Sequence, residues 1–131
     1  MNKIFVTTAA LLGALSVALG AFAAHKLRTI LPADGVATFE TGVRYQFYHA
    51  LALLMIGIAA DKFSAKWIRW AGNCFIAGII LFSGSLYVLT VLRIMEYASA
   101  NYVGIITPFG GLFFIAGWLL LFVAANKKSD R

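Results

Sequence analysis

Four stretches of this chain, Ile4–Ala24, Tyr45–Ala60, Trp70–Leu92 and Tyr97–Asn126, contain no Asp, Glu, Lys or Arg, and that spacing leaves few architectures open. A helix rises 1.5 Å per residue, so about 20 residues cross a hydrocarbon core of roughly 30 Å. Three of the stretches are long enough alone, and the one from 45 to 60 must take in flanking residues. The remaining composition agrees: in 131 residues, 62% are hydrophobic and 12% charged, and the mean hydropathy is +0.88. A water-soluble domain of this length needs far more polar surface. The reading is an all-α integral membrane four-helix bundle, a single transmembrane domain over residues 1–131. Its helices are expected at about 4–24, 35–60, 70–92 and 104–125, with short loops and an interfacial first loop.

Charge position sets an expected orientation. With four crossings, Lys3, Lys62, Lys66, Arg69, Lys127, Lys128 and Arg131 gather on one side, and Lys26, Arg28, Arg44 and Arg93 on the other. Cytoplasmic flanks carry the excess of Lys and Arg, so both termini are expected in the cytoplasm and the protein in the plasma membrane. The net charge of +6 then reads as topology and attraction to anionic lipid. Nucleic acid is set aside, because no basic stripe is interleaved with stacking aromatics. The start of the chain mimics a secretory signal, with Asn2-Lys3 before an apolar stretch and Ala21-Phe22-Ala23 resembling a cleavage site. Its apolar run exceeds the roughly 7–15 residues of a signal core, and a retained helix is expected. Cys74 is the one cysteine; inside the third run it reads as a small apolar residue, and thiol redox chemistry is set aside.

Helical spacing assigns faces. Ala9, Gly13, Ser16, Gly20 and Ala24 share one face of the first helix, and small residues let membrane helices approach closely. The segment Lys26–Leu31 mixes apolar and basic residues, and Pro32-Ala33-Asp34-Gly35 supplies breaker chemistry, with Asp34 a candidate N-cap for a helix running through Ala60. Glu40 and Arg44, at i and i+4, are placed to pair at the headgroup level, where Arg44 snorkels outward. Asp61–Arg69 reads as a linker and interfacial anchor, with Phe63, Trp67 and Trp70 among its cations. In the last helix Thr107 reads as a cap and Pro108 as the first helical residue. Gly84, Gly110, Gly111 and Gly117 join Gly13 and Gly20 as packing candidates.

The second helix carries Gly42, Gln46, His49, Leu53 and Gly57 as one stripe. Insertion scales charge about 2.5–3.5 kcal/mol for a centred Arg or Lys, so polar groups at depth require partners. The candidate intramembrane cluster is therefore Arg44, Gln46, His49, Ser83, Ser85 and Tyr87, closed off by Tyr45 or Tyr87.

Five motifs in order, Gly20-Ala21-Phe22-Ala23-Ala24-His25, Tyr45-Gln46-Phe47-Tyr48-His49-Ala50, Phe82-Ser83-Gly84-Ser85-Leu86-Tyr87, Thr107-Pro108-Phe109-Gly110-Gly111 and Gly117-Trp118, resemble the YgdD/YwdK-like family of small bacterial inner-membrane proteins. The resemblance covers all four helices, implies a four-helix membrane protein with eukaryotic relatives, and carries over no catalytic residue. Three classes of function are open to such a chain. A non-enzymatic membrane component that packs with itself or a larger complex explains the small-residue faces and requires no cofactor. A small transporter or channel lacks an intramembrane carboxylate, because Asp34, Glu40, Asp61, Glu96 and Asp130 lie at span ends or outside. A haem, quinone or lipid enzyme rests on His25 and His49, yet one is expected at the interface and the other roughly 8–12 Å deeper. No metal-ligand spacing is present, and neither a catalytic nor a cofactor-binding residue is assigned.

Overall fold

The computed structural model describes residues 1–98 and 100–127, the side chain of Asn101 excepted; Lys128, Asp130 and Arg131 lie outside the described residues. Four long helices account for most of the chain: α1 (Lys3–His25), α2 (Ala33–Ile58), α3 (Ala65–Ile94) and α4 (Thr107–Asn126). Short 3-10 turns at Leu27–Thr29 and Ala60–Lys62 and a helical turn at Ala100–Val103 lie between them. There is no strand among the described residues, and the architecture is an all-α membrane helical bundle. Helices α1, α3 and α4 are long and apolar enough to cross a membrane, α1 with its following turn counted as Lys3–Thr29. The 26 residues of α2 reach about 39 Å, but its polar stripe lowers its apolarity.

Helix α1 packs along α2 and α4 along α3, and α2 meets α3 across the middle. One core cluster joins all four helices through Phe5, Ala9, Leu53, Ile56, Ile68, Ala71, Phe75 and Phe114. A second closes the opposite end, where Leu27 is fully buried among Ala23, Val36 and Phe39. The first loop stays short because its Leu27 is held in that cluster.

Several expected boundaries move, each for a local reason. Pro32, at φ −63° and ψ 163°, occupies the N-cap position of α2 and Asp34 falls inside its first turn. There the carboxylate faces the positive helix end without acting as the cap. Helix α3 begins at Ala65, so the second half of the expected linker is helical; Ile68, 2% exposed, enters the core and fixes it there. Thr107 is the first residue of α4 and Ile106 its N-cap, because the Thr107 hydroxyl lies 2.7 Å from that of Ser85. Glu40 accepts from Arg28 Nη2 at 3.2 Å, and Arg44 turns outward with Nη2 at 3.4 Å from Thr41 Oγ1. The i,i+4 pair is thus replaced by one between the first loop and α2.

Helix α3 is continuous but not uniform: α-helical turns over Ala65–Gly78 and Gly84–Ile94 flank a π-helical segment, Ile79–Ser83. Such segments hold one extra residue per turn. The helix ends in a Schellman motif, with Tyr97 N–H donating to Leu92 O at 3.0 Å and Glu96 N–H to Arg93 O at 3.1 Å. Glu96 stands in the left-handed region at φ 57°.

Candidate functional site

The polar stripe of α2 lies at the centre of the bundle. Gln46 and His49 are 3% and 5% exposed, one helical turn apart, and their side chains reach different neighbours. Gln46 Nε2 donates to the Leu12 carbonyl of α1 at 2.9 Å, and Gln46 Oε1 accepts from the Tyr87 hydroxyl of α3 at 2.8 Å. One amide therefore ties three helices. Ser16 Oγ also donates to the Leu12 carbonyl, at 2.9 Å, so that oxygen gathers polar groups from both sides of the α1–α2 seam.

His49 makes the connection to α4. Its Nδ1 lies 2.7 Å from the Tyr45 carbonyl, which can only accept, and its Nε2 is reached by Trp118 Nε1–H at 3.2 Å, which can only donate. These partners specify the neutral ring with its proton on Nδ1; a proton on Nε2 would set two N–H groups against each other. The ring lies face to face on Phe114, with centroids 3.5 Å apart and planes 8° apart. Both nitrogens are occupied and one face is covered, so a metal bound at Nε2 would take the place of the Trp118 hydrogen bond.

Ser83, fully buried in the π-helical segment, donates to Gly42 O at 2.7 Å. Gly42 sits against α3 so closely that an added Cβ would stand 2.9 Å from the Tyr87 ring and 3.4 Å from Ser83 O. Ser85 bonds elsewhere, to Phe82 O at 2.9 Å and to the Thr107 hydroxyl. Among the described residues no buried side-chain nitrogen or oxygen lacks a hydrogen-bond partner.

The structure thus brings Gln46, Ser83 and Tyr87 together with Gly42, turns His49 to Trp118 and Phe114 of α4, places Ser85 in a separate α3–α4 tie, and leaves Arg44 outside. Arg44 is exposed; its long stem carries the guanidinium to the rim. His25, exposed at the end of α1, takes no part. Two members were missed. Trp118 and Phe114 enter from α4, and the only sign of either was the Gly117-Trp118 motif.

The packing glycines divide. At Gly110 an added Cβ would strike the Phe82 backbone, 2.7 Å from its Cα, and at Gly117 it would stand 2.6 Å from the Phe75 ring. Gly20 makes ordinary contact with Val43, at 3.5 Å, and Gly111 only grazes Phe82, at 4.0 Å. Gly13 and Gly84 do not belong to the set, because nothing lies within 4 Å of their absent side chains. Gly57, Gly72 and Gly78 do belong, against Val6, Phe5 and Phe114.

A family model described as "Protein of unknown function (DUF423)" matches residues 19–111. The UPF0382 membrane protein YwdK of Bacillus subtilis is 43% identical over 126 residues, covering 95% of this chain and 98% of that one. A UPF0382 membrane protein of Haemophilus influenzae is 40% identical over 130 residues, covering 99% of both chains. The UPF0382 inner membrane protein YgdD of Escherichia coli is 36% identical over 130 residues, covering 99% of this chain and 95% of its own. No solved structure matches.

Proposed function

We propose that this chain, which belongs to the DUF423 family of UPF0382 membrane proteins, is a non-enzymatic component of the bacterial inner membrane that associates with itself or with a larger membrane complex. The observation that carries the reading is the saturated α2 stripe. Gln46, His49 and Ser83 spend their polar atoms on neighbouring helices or on backbone carbonyls, which is what a fold-defining network does. The inner membrane is supported by the name of the Escherichia coli relative.

Association is supported by the outer face of α1, where Ala10, Ala14, Ala18 and Ala21 are exposed and nothing lies within 4 Å of a Cβ added at Gly13. Without an apolar driving force between helices in lipid, such small-residue faces are where backbones approach each other. A single cysteine at Ala14, in a Cys74→Ser background, is expected to form a disulfide-linked species in native membranes. A cysteine at the exposed Leu112 of α4 should not. Failure of Ala14→Cys to cross-link to itself or to any other protein would leave α1 facing lipid and end the association reading.

The proposed orientation has four crossings, both termini in the cytoplasm, and the turn around Asp61 beside them. The excess of Lys and Arg at that end supports it. A phosphatase or fluorescent-protein fusion to the carboxyl terminus is expected to report a cytoplasmic location, and an external signal would invert the assignment.

A further inference from the structure

At the end of the bundle where α1 begins and α2 gives way to α3, a cleft of about 470 Å³ is lined by Asn2, Lys3, Ile4, Asp61, Ile68 and Arg69, among others. Small-molecule sites occupy about 300–1,000 Å³. Its charges do not balance. Asp61, its one acid, is held by the Met1 amine, whereas among the described residues neither Lys3 nor Arg69 has an acidic ion-pair partner. Two helices also begin here, since the first turn of α1 and Ala65 of α3 both line the cleft, and neither helix has an acid in its first turn. Helix N-termini carry roughly half a positive charge and favour anions. The cleft is therefore more positive than its two cations alone.

Its surroundings locate it in the headgroup layer. Trp67 lies between Lys66 and Lys127, whose ammonium groups stand 5.5 and 5.0 Å from its ring centre, and Trp70 is 57% exposed on the following turn. Aromatic belts of this kind mark the membrane–water boundary. The lining is also two-sided, with Ile4, 73% exposed, beside Lys3 and the buried Ile68 beside Arg69. That arrangement suits a molecule carrying both an anion and an apolar tail.

We propose that this cleft binds the phosphodiester of an anionic phospholipid, with Lys3 and Arg69 holding the phosphate and Ile4 flanking the first carbons of an acyl chain. The site stands independently of the association reading, and its test does not depend on oligomeric state. Native mass spectrometry of the full chain in mild detergent, with added phosphatidylglycerol, phosphatidylcholine or inorganic phosphate as probes, decides it. Phosphatidylglycerol should be retained and phosphatidylcholine should not. A juxtamembrane cation contributes about fivefold to anionic-lipid affinity, so Lys3→Gln and Arg69→Gln should each weaken retention by about that factor, and the pair together by roughly 25-fold. Lys62→Gln with Lys66→Gln removes the same charge outside the cleft, where no contact with a bound phosphate is lost, and should weaken retention far less than the Lys3→Gln, Arg69→Gln pair. All variants are first checked for an unchanged thermal transition, and the single substitutions serve if the pair unfolds. Equal loss with the Lys62/Lys66 pair would mean diffuse surface attraction. Equal retention of phosphatidylcholine, or displacement by inorganic phosphate that is itself retained, would likewise overturn the lipid site.

Discussion

Gly110→Ala is expected to lower the stability of the folded protein more than any other single methyl added to it. The new Cβ would meet backbone, the Phe82 nitrogen and Cα, which cannot rotate aside as a side-chain tip can. Phe82 also lies in the π-helical segment of α3, so the clash forces α3 and α4 apart along the seam where Phe114 and Phe75 interlock with Gly78 and Gly117. Overpacking of a close contact costs about 1–3 kcal/mol and sometimes more; the upper part of that range is expected. Thermal unfolding in detergent measures it, with two internal references. Gly111→Ala, one residue on, has only the Phe82 ring edge at 4.0 Å, and Gly84→Ala meets nothing within 4 Å. Gly84→Ala should be neutral or stabilising by up to about 1 kcal/mol, because Ala favours helix over Gly. A Gly110→Ala protein as stable as Gly84→Ala would refute the described α3–α4 seam.

The second large effect belongs to the stripe of α2. Gln46→Leu removes two interhelical hydrogen bonds at once and leaves the Tyr87 hydroxyl without its acceptor. Interhelical bonds in membranes average about 0.6 kcal/mol and reach about 1.7 kcal/mol, so a loss of about 1–3 kcal/mol is expected. A double-mutant cycle with Tyr87→Phe should return a coupling of about 0.6–1.7 kcal/mol. His49→Leu should also destabilise, through the unpaired Trp118 N–H and the lost stack on Phe114. A stable His49→Leu protein that loses a cellular phenotype would move His49 from architecture to function, and zero coupling between Gln46 and Tyr87 would remove the clasp.

The sequence disclosed helices more readily than it disclosed their rotation about their own axes. Charge-free runs mark α1, α3 and α4 because hydrocarbon excludes Lys, Arg, Asp and Glu, and the polar periodicity of α2 marks its inward face by the same cost. The partners of that face were another matter. Helix α4 is apolar all round, so nothing in its pattern distinguishes Phe114 and Trp118 from Phe113 or Leu119. The Leu12 carbonyl that receives Gln46 is backbone and leaves no trace in residue identity. Glycine spacing likewise included Gly13 and Gly84, which no other helix of this chain covers, because whether a glycine is covered depends on the neighbour's position. Arg44 was expected both to snorkel outward and to join the cluster; it is exposed, as the flexibility of its stem allows, and the cluster forms without it.

The extra residue held in Ile79–Ser83 makes α3 behave like a shaft carrying two blades set at different angles. One residue corresponds to about 100° of rotation in a regular helix, so the turns before the π segment present Phe75 and Gly78 to α4, and those after it present Leu86 and Tyr87 to α2. Phase, rather than length, is what the segment stores. A shorter α3 with the one residue removed would be nearly as long, yet its second half would be turned by about a quarter revolution, carrying Tyr87 away from Gln46. Changes in length are therefore tolerated within this helix only where they leave its rotational offset intact.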